Sequence, residues 1–135
     1  MATPDRKRIA DLNFLFVCEH AFIDSEGKPC LIGIIEDVVP KTAFPLWYAK
    51  LTLAIHLRAE PKSVFEVKVQ FGPRGDIMRD GRFTVEVHSR GTVLIPFNMV
   101  HVRFDVPGDY EARVIVDDEV LMPIRTIKVR PTPIP

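Results

Sequence analysis

Ala49-Lys50-Leu51-Thr52-Leu53-Ala54-Ile55-His56-Leu57 places a branched aliphatic side chain at every second position. Leu51, Leu53, Ile55 and Leu57 fall on one parity, and Lys50, Thr52 and His56 on the other. A period of two is the signature of a strand with one dry and one wet face. Val64-Phe65-Glu66-Val67-Lys68-Val69-Gln70-Phe71 repeats the pattern, with Phe65, Val67, Val69 and Phe71 inward. Phe83, Val85 and Val87 continue it, as do Val100, Val102, Phe104 and Val106, with His101, Arg103 and Asp105 outward. Tyr110, Ala112, Val114 and Val116 form the next inward row, and a last strand spans about Val120 to Val129. Pro123 within it predicts an edge or a bulge. No amphipathic helix of three turns is present in the pattern. Pro107-Gly108-Asp109 and Asp117-Asp118-Glu119 read as tight hairpin-type turns. About seven to nine strands at roughly ten-residue spacing predict an all-β fold: a two-layer antiparallel β-sandwich, immunoglobulin-like in broad architecture.

The chain has 135 residues, which is one domain's worth, expected to span 1–135 with loose ends at 1–8 and 131–135. Eighteen Lys and Arg balance eighteen Asp and Glu. A net charge of zero gives no electrostatic reason to expect nucleic acid or an anionic membrane as partner. No segment approaches the roughly 18 to 20 apolar residues of a membrane helix. Arg6, Lys7 and Arg8 resemble the start of a signal peptide, but Asp11, Asn13, Glu19 and His20 interrupt the apolar segment after them. The expected location is the cytoplasm. Cys18 and Cys30 lie in two segments that pair about Glu26-Gly27, with Cys18 facing the neighbourhood of Ile35 and Cys30 that of Ile23. That spacing of about 16 Å along the ladder predicts two reduced thiols.

The first hairpin departs from the alternating pattern. Leu12, Phe14, Phe16, Cys18 and Phe22 point one way, and Leu15, Val17, Ala21 and Ile23 the other. In its partner, Ile32, Ile34 and Val38 oppose Leu31, Ile35 and Val39. Both faces are apolar, whereas the outer face of a lone sandwich meets water. Either loops such as Val39 to Tyr48 cover the second face, or a second copy or another protein does. Gly33 within the strand marks a bulge or a close backbone approach. The loop Pro40 to Tyr48 holds Phe44, Leu46, Trp47 and Tyr48, which either plug the sandwich or anchor a partner.

Catalytic constellations are absent from the pattern. His20, His56, His88 and His101 lack ligand spacing, although Cys18 and His20 share a face. Ser25, Ser63 and Ser89 sit in predicted turns without a nucleophile elbow. Asp105, Asp109, Asp117 and Asp118 fall at opposite ends of one strand, so they do not converge as calcium ligands would. Arg74-Gly75-Asp76 matches an integrin-binding tripeptide but reads as a turn. No catalytic residue, metal ligand or cofactor is expected.

Cys18, then Asp24-x-x-Gly27-Lys28, then Leu31-Ile32-Gly33-Ile34 resembles the opening hairpin of a family of short bacterial β-sandwich proteins of unknown function. Phe44-Pro45 before the next strand, Pro107 to Tyr110, and the acidic turn Asp117 to Glu119 extend the resemblance along nearly the whole chain. It implies the fold and carries no catalytic residues.

The expected function is therefore a non-enzymatic protein-interaction or scaffold module, with a protein partner or a second copy (a homo-oligomer) docking on the first hairpin. Its candidate interface is Phe14, Phe16, Phe22, Ile32, Ile34, Phe44, Leu46, Trp47 and Tyr48. The alternative is a small-ligand or carbohydrate-binding module in which Trp47 and Tyr48 stack on the ligand.

Overall fold

The computed structural model describes residues 8–132, and the expected loose ends fall mostly outside the described residues. Among the described residues, nine strands form two sheets: β1 (Ala10–Ile23), β2 (Pro29–Ile35), β3 (Asp37–Val38), β4 (Leu46–Ala59), β5 (Val64–Pro73), β6 (Arg79–Glu86), β7 (Thr92–Phe104), β8 (Gly108–Val116) and β9 (Glu119–Val129). The first sheet has the order β2-β1-β4-β7 and the second β3-β9-β8-β5-β6. All pairs are antiparallel except β3 with β9. The placement of β1-β4-β7 against β9-β8-β5-β6 is that of an immunoglobulin-like sandwich.

The core follows the alternation. Leu15, Val17, Leu51, Leu53, Ile55 and Leu57 of one sheet pack against Val67, Val69, Phe71, Ala112, Val114 and Ile127 of the other. Phe71, Phe104 and Tyr110 form an aromatic knot in this core, with the Phe104 and Tyr110 rings edge-on at 4.7 Å. The β8–β9 hairpin closes on Asp117-Asp118, both at positive φ, the two-residue turn that matches strand twist. A bulge in β8–β9 between Ala112 and Val114 lies opposite the Pro123 region, as the proline predicts.

Pro107-Gly108-Asp109 is not a hairpin turn. It carries the chain from β7 in the first sheet to β8 in the second. The Tyr110 hydroxyl donates to the Val106 carbonyl at 2.8 Å and fixes this crossing. Such a tyrosine corner recurs in immunoglobulin-like sandwiches.

Two faces reverse within the first sheet. In β4 the buried positions run Leu57, Ile55, Leu53, Leu51 and then Leu46. In β7 they run Ile95, Met99 and then Val102 and Phe104. Pairing stays in register across the reversal, so both strands turn over together where Ala49 lies opposite His101, at φ 52°. Val100, expected inward, is therefore 53% exposed, and Val106 beyond β7 is exposed as well.

The first hairpin doubles back. Its turn is a three-residue loop centred on Glu26, with Asp24 Oδ1 accepting the N–H groups of Glu26 and Lys28, and Gly27 at φ 82°. The register is thus one residue from the expected one: Cys18 faces Ile34 and Cys30 faces Phe22. Both cysteines are free. Pairing of β1 with β4 ends at Cys18–Thr52. There Gly33 takes φ 68°, and the Glu19 side chain lies 2.7 Å from where a Cβ of Gly33 would stand. A straight β1 would carry Glu26 about 50 Å from Ala10. Instead the Arg90 guanidinium donates to the Glu26 and Gly27 carbonyls at 3.4 and 3.3 Å. The adjacent Gly91 carbonyl accepts the N–H of Ala59, the residue paired with Ala10. The hairpin tip thus returns to the start of its own first strand.

The returned hairpin covers the outer face of the first sheet. Ala21 joins Cys18 and Ala54 in a second apolar cluster, with Phe14, Leu31 and Leu94 around it. The small side chains at Cys18, Ala21 and Ala54 let the two layers approach closely. Thr52, expected on a wet face, is fully buried, and its hydroxyl donates to Asn98 Oδ1 at 2.8 Å. His56 stacks on Phe14 at 4.9 Å, and Asn13 Nδ2, a donor only, lies 3.0 Å from its Nδ1. Burial holds the imidazole below its ordinary pKa.

This packing sets two expected outcomes. Tyr110→Phe removes the Val106 hydrogen bond and is expected to cost about 0.5–1.5 kcal/mol in denaturant unfolding. His56 protonates more readily unfolded than folded, so stability is full above the unfolded pKa of about 6.5 and falls as pH drops through the folded value. Denaturation midpoints between about pH 7 and pH 5 should show this acid-side loss, and His56→Gln should lessen it.

Candidate functional site

The interface residues expected from the sequence separate into three groups. Leu46 is a core residue, and Phe44 and Tyr48 pack partly buried against the same core, Tyr48 edge-on to Phe104 at 5.7 Å. Phe14 and Phe16 are half-buried: Phe14 lies under His56, and the Arg125 guanidinium lies 4.5 Å from the Phe16 ring centre. Phe22, Ile32, Ile34 and Trp47 remain exposed. The loop 39–45 does not cover the hairpin's second face; the doubled hairpin covers the sheet itself.

Phe22 and Ile32 belong to one surface, and Ile34, exposed too, lies beyond the bend at Gly33, paired with Cys18. Ile32 pairs with His20 and Cys30 with Phe22, so these side chains share one face of the hairpin. The His20 and Phe22 rings lie 5.4 Å apart. Ile32 is 53% and Ile34 49% exposed. The opposite face supplies Ala21 and Leu31 to the cluster below. Arg90 pins the tip, and Gly33 sets the bend that presents this face.

Trp47 stands apart. It is 62% exposed, and the Arg103 guanidinium lies 5.5 Å from its ring. Trp47 borders a shallow cleft of about 270 Å³ with Val39, Pro40, Leu46 and Tyr48. That volume is small for a pocket that encloses a ligand.

Among the described residues, the ionisable groups are spread over separate local contacts. Burial pushes the Cys18 thiol up, partly offset by its hydrogen bond to the His20 carbonyl, so the thiolate is disfavoured. Burial, with the Glu19 charge, pushes the Tyr48 hydroxyl up too. His20 accepts from Lys50 Nζ at 3.3 Å, and His56 is held by Asn13. Asp105 pairs with Arg103 and Asp109 with Arg74. Among the described residues, no three His, Cys, Asp or Glu side chains are placed to hold a metal ion. Arg74 of the Arg-Gly-Asp turn is tied to Asp109 and Glu111.

Three residues that organise the site carry no sequence signal. Arg90 acts from the loop between β6 and β7. Arg125 reaches from β9 to donate to the Leu15 carbonyl at 2.7 Å and closes the open flank of β1. Glu19 packs over Gly33. Each depends on a contact between segments distant in the chain.

Comparison with known proteins supplies a family. No curated protein matches the chain. A solved structure of Pseudomonas fluorescens alkylpurine DNA glycosylase AlkC, bound to DNA containing an abasic site analog, is similar at 12% identity with a TM-score of 0.48. The match covers 93% of this chain and 31% of that one, so the chain spans about a third of that protein. A likeness this distant carries no argument about function. A family model described as a family of unknown function, DUF6941, matches residues 13–129, and the chain belongs to that family.

Proposed function

We propose that the chain is a non-enzymatic protein-interaction or scaffold module that docks through its first hairpin. The observation that carries this is the exposed apolar face of Phe22 and Ile32, with Ile34 exposed past the bend at Gly33, on a hairpin whose other face is already packed. Apolar residues scattered singly on a surface are ordinary, whereas a grouped apolar face is a contact surface. The outer face of the second sheet is different: Arg82–Glu66, Arg113–Glu111 and Arg74–Asp109 lay ion pairs across it. Burial favours the neutral forms of the Cys18 thiol and the His56 imidazole, and each is engaged by a neighbour, which supports binding rather than turnover.

A second reading, a small-ligand or carbohydrate module, is favoured by Trp47 alone, with its exposed ring beside Arg103. Aromatic faces stack on ligands, but here the adjoining cleft is shallow.

The test compares the tagged chain with its Phe22→Ser/Ile32→Ser variant in pull-downs from the native host. A docking module brings down a stoichiometric protein, or a second copy of itself, and the variant loses it while keeping the far-UV spectrum. Equal recovery by both contradicts docking through the hairpin. Trp47 is the single tryptophan, so its fluorescence reports on the cleft without interference. A saturable change on adding a sugar or metabolite would instead favour the second reading.

A further inference from the structure

Three arginines from distant parts of the chain, Arg8, Arg58 and Arg90, meet where β1 begins and β4 ends. Strand pairing brings them there. Arg58 lies opposite Asp11 of β1 on one side and Thr92 of β7 on the other. The next residue, Ala59, donates its N–H to the Gly91 carbonyl beside Arg90. The three side chains line a cleft of about 500 Å³. That volume falls within the range of small-ligand sites, unlike the shallow cleft beside Trp47.

The guanidinium groups keep donors to spare. Each carries five N–H groups. Arg90 uses only Nη1, on the neutral Glu26 and Gly27 carbonyls. Nη1 is also its atom nearest Gly27, so the Nε–Nη2 edge faces away from the hairpin tip. That edge is the pair of parallel donors that meets an oxyanion in two bonds, and it has no partner among the described residues. Arg58 reaches Asp11 through Nη2 at 3.5 Å. Arg8 reaches Asp11 through Nη1 at 3.9 Å and Glu119 through Nε at 3.5 Å. Exposed pairs this long contribute little and rearrange readily. Asp11 and Glu60 also line the cleft, so three cations face two anions there, in a chain whose net charge is zero.

We propose that this cleft binds the phosphate of a small phosphomonoester, held directly by Arg58 and Arg90 with Arg8 as a third donor. A planar carboxylate is satisfied by one guanidinium fork, whereas a tetrahedral phosphate has oxygens for forks that arrive from several directions. Ile9 and Pro61 add apolar surface on the same cleft for the remainder of the ligand. A net charge of zero supplies no long-range field to gather a polyanion, which favours a small ligand over nucleic acid. The site is separate from the hairpin face, and the inference goes beyond the docking reading without resting on it.

Titration of the full chain with inorganic phosphate and with phenyl phosphate tests this, followed through the arginine Nε–H resonances at constant ionic strength. Saturable shifts at Arg58 and Arg90 are expected with both, and phenyl phosphate is expected to bind more tightly through its ring. Arg58→Gln, which leaves the hairpin tip untouched, should weaken binding about tenfold, and Arg90→Gln at least as much. Asp11→Asn removes a competing carboxylate and should tighten binding about threefold. Shifts that never saturate, that chloride reproduces at the same ionic strength, or that survive Arg58→Gln overturn the site. Acetate binding as tightly as phosphate overturns the phosphate class. A phosphoserine peptide that binds where phenyl phosphate does not overturns the small-molecule assignment.

Discussion

The return of the first hairpin onto its own sheet is the constraint on which the remaining arrangement depends. β1 and β2 carry apolar residues on both faces, and one sandwich interior buries only one of them. Folding back at Glu19 and Gly33 lets Ala21 and Leu31 cover Cys18, Ala54 and Phe14, an outer face that would otherwise meet water. The small side chains at the contact set a close layer spacing, and Arg90 holds the tip in place through two neutral carbonyls. Burial of Thr52 is tolerable because its hydroxyl finds Asn98.

This geometry also decides what is left for a partner. Doubling back turns Phe22 and Ile32 outward and leaves β2 as a sheet edge. Arg125 meanwhile seals the flank of β1 that β2 leaves unpaired, by taking the Leu15 carbonyl and covering Phe16. Polar guards occupy the flanks around the core, whereas the hairpin surface is apolar. That asymmetry is what connects the fold to the proposed role.

Much of the sandwich was legible because β8 keeps strict alternation from end to end and β5 keeps it as far as Phe71. The acidic turn at Asp117-Asp118 was legible as turn chemistry, whereas the crossing that the Tyr110 hydroxyl fixes read as a hairpin turn, because Pro107-Gly108-Asp109 suits either. The face reversal in β4 and β7 was not, because a histidine at positive φ carries no signature that separates it from an outward histidine. The assignment of Val100 failed there, that of Val106 because β7 ends at Phe104, and that of Thr52 because its cover comes from a distant hairpin. In the candidate site, Phe22, Ile32 and Ile34 were readable from an excess of apolar positions. The burial of Leu46 and the exposure of Trp47 were not, since they depend on where β4 turns over. Gly33 was readable as a special position; the direction it sends the chain depends on Arg90 and Ala54.

The most direct test of the account is the distance between the hairpin tip and the loop before β7. Nitroxide labels at Ser25→Cys and Ser89→Cys, in a Cys30→Ser background with Cys18 buried, report it by pulsed electron resonance. A doubled hairpin gives a narrow distribution well below half of the roughly 50 Å that a straight one sets. A distribution centred near that longer distance would contradict the fold-back and the surfaces derived from it.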